Sequence, residues 1–88
     1  MSAKILVIED DAGINSLLYE LLSEVGYEVK SAYSGTEGKL RLEMEEFDLV
    51  MMDLMLPGMT GEELIKEVRK IKVMPIIVVS AKVGVDTR

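Results

Sequence analysis

The chain has 88 residues and a net charge of −6; 49% of its residues are apolar and 30% are charged, which is the composition of one small soluble globular domain. The absence of cysteine excludes disulfide scaffolds and cysteine-based metal sites, and the absence of histidine removes the commonest metal ligand and the commonest general base. The negative charge argues against non-specific binding of DNA or RNA by this domain. No apolar run approaches the roughly twenty residues that cross a bilayer, and no signal peptide opens the chain, so we expect a cytoplasmic protein without a membrane partner.

The first half of the chain alternates between strand and helix patterns. Lys4–Ile8 is apolar after its first residue and rich in β-branched residues, which is typical of a strand buried on both faces. A helix is predicted next, with Asp11 as its N-cap and Gly26 at its C-terminus. Its apolar residues recur every three or four positions and should form the buried face: Ile14, Leu17, Leu18, Leu21, Leu22 and Val25. Tyr27–Ala32 then alternates between apolar and polar residues, as an edge strand with one solvated side does.

The second helix is predicted after the capping-box pattern Ser34–Glu37. Three apolar residues should form its buried face: Leu40, Met44 and Phe47. Gly38 lies inside this helix and costs up to about 1 kcal/mol relative to alanine. Leu49–Met52 follows as another strand buried on both faces, and it ends at Asp53.

The third helix begins at a second capping box, Thr60–Glu63. Its apolar face consists of Leu64, Ile65, Val68 and Ile71. Pro75 breaks the chain before Ile76–Val79, the fourth strand. The resulting order, β-α-β-α-β-α-β, predicts an α/β fold in which a doubly wound parallel sheet is covered by helices on both faces.

Polar side chains follow the strands of this predicted sheet, at the edge where such folds place their functional residues. Glu9 and Asp10 follow the first strand, Asp53 follows the third and Ser80 follows the fourth. If the first and third strands are neighbours, three carboxylates converge and repel one another unless a cation neutralises them. Without histidine or cysteine, Mg²⁺ is the candidate, because it is a hard cation that oxygen ligands hold.

The same cluster suits phosphoryl transfer, because a carboxylate can attack phosphorus to give an acyl phosphate. Ser80 and the backbone N–H groups of Leu54 and Ala81 could donate hydrogen bonds to phosphoryl oxygens. Each residue also has an ordinary interpretation, since acidic residues after strands are often solvated and serine is common in turns. The conjunction of an acidic pair, a single aspartate and a hydroxyl at three strand ends favours the functional interpretation.

Three segments resemble bacterial response-regulator receiver domains: Ile5–Asp11, Phe47–Gly61 and Pro75–Lys82. The resemblance implies one flavodoxin-like receiver domain over residues 1–88, with strand order 2-1-3-4. It also implies that Asp53 is a phosphoacceptor, which takes a phosphoryl group from a phosphohistidine of a sensor histidine kinase.

The resemblance implies roles for the other residues at the strand ends. Asp10, Asp53 and the backbone carbonyl of Met55 would bind Mg²⁺, and Glu9 would act on the ion through water. Ser80 would sense the phosphoryl group and help to shift the helix that follows. The sequence Glu9-Asp10-Asp11 after the first strand is similar to that of receivers fused to winged-helix DNA-binding domains. This similarity would make the parent protein a transcription regulator.

The sequence departs from the family pattern after the fourth strand. Family members run roughly a third longer, with a further helix, a fifth strand and a last helix. The fifth strand supplies a lysine and an aromatic switch residue; neither is present, and Lys82 is not that lysine. The fourth strand would then be an exposed apolar edge of the sheet. We expect impaired phosphorylation and switching, together with self-association through this edge, which consists of Ile76, Ile77, Val78 and Val79.

Three alternatives stay open beside a phosphoaccepting receiver. One is a receiver fragment that no longer accepts phosphate and acts as a self-associating scaffold. Another is an aspartate-nucleophile phosphohydrolase of the haloacid-dehalogenase type, which resembles this layout but has a second aspartate where this chain has Met55. A flavin or mononucleotide site would need a glycine-rich phosphate loop after the first strand, and the sequence has none there. Even an intact receiver is not an enzyme in the usual sense, since it assists only its own phosphorylation and dephosphorylation.

Overall fold

The computed structural model describes residues 3–70 and 73–79. The elements in chain order are β1 (Lys4–Ile8), α1 (Ala12–Val25), β2 (Glu28–Ala32), α2 (Gly35–Met44), β3 (Leu49–Met52), α3 (Gly61–Val68) and β4 (Ile76–Val78). Every predicted element is present, although β2 begins one residue later and β4 ends one residue earlier than the sequence pattern indicates. Ile71, which was assigned to the face of the third helix, lies outside the described residues.

The strands form one parallel sheet in the order β2-β1-β3-β4, as predicted. The central pair is β1 and β3, in which Ile5 lies opposite Leu49 and Ile8 lies opposite Met52. This arrangement is an α/β, flavodoxin-like sheet. Because β1 and β3 are neighbours and parallel, the residues that follow Ile8 and Met52 leave the sheet side by side.

The sheet separates two hydrophobic clusters, since alternate residues of each strand point to opposite faces. Ile5 and Val7 pack with Val29 on one face, against Leu18 and Leu22 of α1. The opposite face carries the larger cluster, which α2 and α3 cover; its buried members include Leu6, Ile8, Leu42, Phe47, Val50, Met52, Leu56, Leu64 and Val68. Burial of each large aliphatic side chain stabilises the fold by about 1.5–3 kcal/mol.

Helix α1 has the predicted ends but buries a narrower face than predicted. The Asp11 carboxylate accepts a hydrogen bond from Ile14 N at 3.0 Å, and Gly26 ends the helix in the left-handed conformation with φ 113°. Of the six apolar residues assigned to the buried face, three are exposed: Leu17, Leu21 and Val25. Helix α1 packs mainly on β1 and β2, and the apolar side chains farther round its surface are exposed.

The face predicted for α2 is wrong. Leu40 and Met44 are exposed, and Phe47 is buried but lies beyond the end of the helix. The face that packs on the sheet instead carries Gly38 and Leu42. A Cβ atom at position 38 would lie 2.5 Å from Cδ1 of Ile8, so the helix approaches the sheet through its glycine.

The two predicted capping boxes differ. At α3 the box is complete: Thr60 Oγ1 accepts from Glu63 N at 3.1 Å, and the Glu63 carboxylate accepts from Thr60 N at 3.0 Å. At α2 only half of it forms, because the Glu37 carboxylate accepts from Tyr33 N rather than from Ser34 N. Across the residues the structure describes, none of the helices has both the length and the apolar character that a membrane span requires.

Candidate functional site

Three carboxylates meet at the carboxyl ends of β1 and β3, as the sequence predicts. Oxygen atoms of Glu9, Asp10 and Asp53 all lie within 4.8 Å of one another. Glu9 is 2% exposed and Asp53 is 1% exposed, whereas Asp10 is open to solvent. Asp53 N donates to Ile8 O at 3.2 Å, which continues the hydrogen bonding of the two strands up to the site.

The Asp53 carboxylate is oriented by the loop that follows it. Its Oδ1 atom accepts a hydrogen bond from Met55 N at 2.9 Å. The Met55 side chain points away from the core and is 64% exposed. Met55 therefore acts here through its backbone, because the hydrogen bond from its N–H restricts rotation of the Asp53 carboxylate.

Hydrogen bonds fix the turn that carries Asp10 at the residues before and after it, Glu9 and Asp11. The Glu9 carboxylate accepts from Asp11 N at 2.9 Å, and Asp11 caps α1 with its own side chain. The main-chain oxygen of Glu9 accepts from the side-chain amide of Asn15 at 2.9 Å. Asn15 was not among the residues predicted from the sequence, in which its one signal is a polar residue inside an apolar periodic stretch.

The loop between β3 and α3 is held against the first turn of α2. Gly61 N donates to Leu54 O at 2.9 Å, and Gly35 N donates to Pro57 O at 3.3 Å. A Cβ atom at position 35 would overlap the main-chain oxygen of Met59, so this close approach requires glycine. The first turn of α2 thus supports the loop whose beginning orients Asp53.

A shallow depression opens beside the carboxylates. Its lining includes Asp10, Leu54, Met55 and Thr60. Asp10 therefore belongs to the acidic cluster and also lines this open depression. The predicted phosphoryl-contacting groups Ser80 and Ala81 lie outside the described residues, as does Lys82.

The donor set fits a divalent cation. Carboxylate oxygens are hard ligands of the type that Mg²⁺ takes, and three of them close together repel unless positive charge is added. Two of the three carboxylates are buried, which weakens the screening of that repulsion by water.

The fold and the acidic site together define a signalling domain of a known class. The family model of the response regulator receiver domain matches residues 5–88, so the chain belongs to the response regulator receiver family. The predicted family and flavodoxin-like fold are therefore confirmed. Receiver domains generally bind Mg²⁺ at an acidic pocket and interact with histidine kinases.

Solved receiver structures from several organisms are similar to this chain. The chemotaxis response regulator CheY4 of Vibrio cholerae is 33% identical with a TM-score of 0.86, and the match covers 89% of this chain and 68% of that one. The HemR receiver domain from Leptospira biflexa is 34% identical with a TM-score of 0.83, covering 92% of this chain and 66% of that one. A CheY-like receiver domain protein from Methanospirillum hungatei is 32% identical with a TM-score of 0.86, covering 97% and 72%. This chain thus spans roughly two thirds of the length of these three proteins.

Proposed function

We propose that the chain is a cytoplasmic phosphoacceptor module of two-component signalling, in which Asp53 takes a phosphoryl group from a phosphohistidine of a sensor histidine kinase. One observation supports this above all: Asp53 is buried and oriented by Met55 N, and it lies with Glu9 and Asp10 in one cluster of carboxylates. Membership of the receiver family supports the same role.

The transfer forms one bond and breaks another. A carboxylate oxygen of Asp53 bonds to phosphorus as the P–N bond to the kinase imidazole breaks, and the electron pair of that bond goes to the imidazole nitrogen. The imidazole, protonated on its other nitrogen, leaves as a neutral ring, and Asp53 becomes an acyl phosphate. The hydrogen bond from Met55 N to Oδ1 orients the Asp53 carboxylate for this attack.

Asp10, Asp53 and the backbone carbonyl of Met55 would hold Mg²⁺, with Glu9 acting through water. When bound, the ion offsets the charge of the carboxylates and of the incoming phosphoryl oxygens. Asp10 borders the open depression, so its carboxylate is the member of the set that solvent reaches directly. The backbone N–H groups of Leu54 and Ala81 and the hydroxyl of Ser80 would donate to phosphoryl oxygens.

This role is not enzymatic turnover, since the phosphoryl group stays on the chain until it is hydrolysed. A phosphohydrolase of the aspartate-nucleophile type needs a general acid two residues after the nucleophile. Met55 occupies that position and has no transferable proton on its side chain, which is exposed. We therefore rank that alternative below the phosphoacceptor.

A second candidate function is a self-associating scaffold, and the exposure of β4 favours it. Within the described residues β4 pairs with β3 alone, and Ile77 and Val78 are 48% and 42% exposed. Ile76 packs on the core and Val79 N donates to Met52 O, so the strand is attached on its inner side. An apolar strand with an open edge can pair with another chain. The scaffold candidate differs from the first in requiring no reaction at Asp53.

Intact-protein mass after incubation with acetyl phosphate and Mg²⁺ tests the phosphoacceptor proposal. We expect a gain of one phosphoryl group in the wild type and none in Asp53→Asn. Asp48→Asn is the matched control, because Asp48 is an exposed carboxylate outside the acidic cluster, and we expect it to gain the group as the wild type does. A folded wild type that gains no mass would leave the scaffold as the better function.

A further inference from the structure

We propose that Asn15 is a positioning residue whose side-chain amide fixes the turn carrying Glu9 and Asp10 and thereby sets the Mg²⁺ affinity of the acidic cluster. This inference rests on the proposed function, since it concerns the same metal site. The Asn15 side chain binds the main-chain oxygen of Glu9, so it affects the metal site indirectly, through the position of Glu9.

The amide joins three elements at one point. Asn15 lies in the first turn of α1, and its side chain is fully buried at 0% exposure. Its Nδ2 atom donates to the main-chain oxygen of Glu9 at 2.9 Å and to that of Ala32 at 3.1 Å. One side chain of α1 therefore binds the residue that follows β1 and the last residue of β2.

The position of this contact matters because the sheet stops there. Glu9 N donates to Ala32 O at 3.0 Å, one residue beyond the last paired residues of β1 and β2, Ile8 and Ala32. The next carbonyl, that of Glu9, extends beyond the strand pairing, and the Asn15 amide holds it. Farther along the turn, Asp11 N donates to the Glu9 carboxylate, and Asn15 N donates to Asp11 O at 2.9 Å. Asp10 thus lies between two residues that both hydrogen-bond to Asn15.

The Asn15 side-chain oxygen has no hydrogen-bond partner in the described part of the chain, which indicates that the side chain acts through its NH₂ group. This oxygen, Oδ1, is buried. An unsatisfied buried oxygen destabilises a fold, so an apolar residue would serve better if the position only filled space. The two donated hydrogen bonds offset that cost, and both go to the carbonyls that define the turn.

The composition of the chain allows this amide to be observed directly. Asn15 is the only asparagine and the sequence has no glutamine, so its NH₂ group gives the only side-chain amide signals in a ¹⁵N–¹H spectrum. On addition of Mg²⁺ to the wild type, we expect these signals to shift with the same midpoint as the backbone signals of Asp10 and Asp53. Asn15 signals that stay fixed while those of Asp10 and Asp53 shift would overturn the inference.

Substitution gives the second test. We expect Asn15→Leu to weaken Mg²⁺ binding about tenfold, which corresponds to about 1.4 kcal/mol. Val29→Ala is the control, since Val29 is buried under the same helix and its truncation lowers stability without removing a contact of the turn. Both variants are compared with the wild type at a temperature at which all three are folded. An unchanged dissociation constant in Asn15→Leu would overturn the inference while the proposed function stands.

The outcomes separate the two proposals. If the wild type shows no Mg²⁺-dependent shift at Asp10, Asp53 or Asn15, the metal site itself fails and both proposals fall. If Asn15→Leu does not fold, the wild-type titration still tests the inference. The Asn15 amide signals then either shift with the same midpoint as those of Asp10 and Asp53, which supports it, or stay fixed, which overturns it. Equal weakening in Asn15→Leu and Val29→Ala would reduce the role of Asn15 to stability and overturn the inference.

Discussion

Glu9 and Asp53 leave neighbouring parallel strands at the same level, and the carboxylates of both are buried at the edge of the sheet. The pairing of Ile8 with Met52 determines this level, because each acidic residue directly follows its strand. Like charges at such a place repel more strongly than they would in water. The sheet register therefore creates a site whose free energy falls when a cation binds.

The first prediction concerns stability without metal. Asp53→Asn keeps an oxygen that can accept from Met55 N, but it removes one of three clustered negative charges. We expect the variant to be more stable than the wild type by about 1 kcal/mol in urea unfolding with a chelator present. We expect Mg²⁺ to stabilise the wild type and to leave Asp53→Asn nearly unchanged. Equal stabilisation of both proteins by Mg²⁺ would contradict the assignment of Asp53 as a ligand.

A second prediction uses the glycine face of α2. Alanine is a better helix former than glycine by about 1 kcal/mol, so Gly38→Ala would stabilise an exposed helix. Here the added Cβ would lie 2.5 Å from Cδ1 of Ile8, and overpacking of this kind costs about 1–3 kcal/mol. We expect net destabilisation of Gly38→Ala in urea unfolding.

Leu40→Ala is the control for the helix face. Leu40 is exposed, so we expect its truncation to change the free energy of unfolding by less than about 0.5 kcal/mol. The sequence pattern placed Leu40 on the apolar face of this helix, so the two variants discriminate between the predicted face and the observed one. A large loss at Leu40 with none at Gly38 would restore the sequence-based face.

The error at α2 has a physical origin. Periodicity identifies a buried helix face by its large apolar residues, and Leu40 and Met44 satisfy that rule. Close packing on a sheet can instead use small residues, and Gly38 permits the approach to Ile8 that a larger residue would block. A single sequence does not distinguish a glycine that weakens a helix from one that allows the helix to pack closely on the sheet.

The acidic site was predictable because it depends on sheet order and strand ends. Alternating strands and helices predict parallel neighbours, and Glu9, Asp10 and Asp53 then converge as observed. The supporting contact from Asn15 was not predictable, since it depends on the rotation of α1 over β1 and β2. Hydropathy carries no information on which carbonyl a buried amide will reach.

A third prediction follows from the ion pair between Lys4 and Glu45, whose Nζ and Oε1 atoms lie 2.7 Å apart. The hydrogen bond from Lys4 lowers the pKa of Glu45 from its ordinary value of 4.5, and the same bond raises the pKa of Lys4 from 10.5. The contribution of Glu45 to stability is therefore present above pH 4.5 and lost as the pH falls through its lowered folded-state pKa. That of Lys4 is present below pH 10.5 and lost as the pH rises through its raised pKa.

The melting temperature as a function of pH checks this ion pair. We expect Glu45→Gln to melt below the wild type at neutral pH, and the difference to disappear in acid once Glu45 is protonated in the folded state. Glu43→Gln is the control in the last turn of α2, which Glu45 caps, because Glu43 Oε2 lies 3.9 Å from Lys39 Nζ and both side chains are more exposed than those of Lys4 and Glu45. Such a pair contributes little, so its removal should leave the pH profile unchanged. A gap for Glu45→Gln that persists at low pH would contradict the ion pair as its cause.

The last prediction distinguishes the two exposed apolar surfaces as sites of self-association. Ile77 lies opposite Met51, and because paired residues point to the same face of a sheet, its side chain lies on the α1 side. It is 48% exposed, so a lysine at this position stays solvated and protects the strand edge by its charge. We expect the wild type to self-associate and Ile77→Lys to sediment as a smaller species in sedimentation velocity. Leu17→Lys places the same charge on the exposed side of α1, and we expect it to leave the assembly intact. Loss of association in Leu17→Lys alone would move the contact to the helix, and a monomeric wild type would remove the basis of the scaffold candidate.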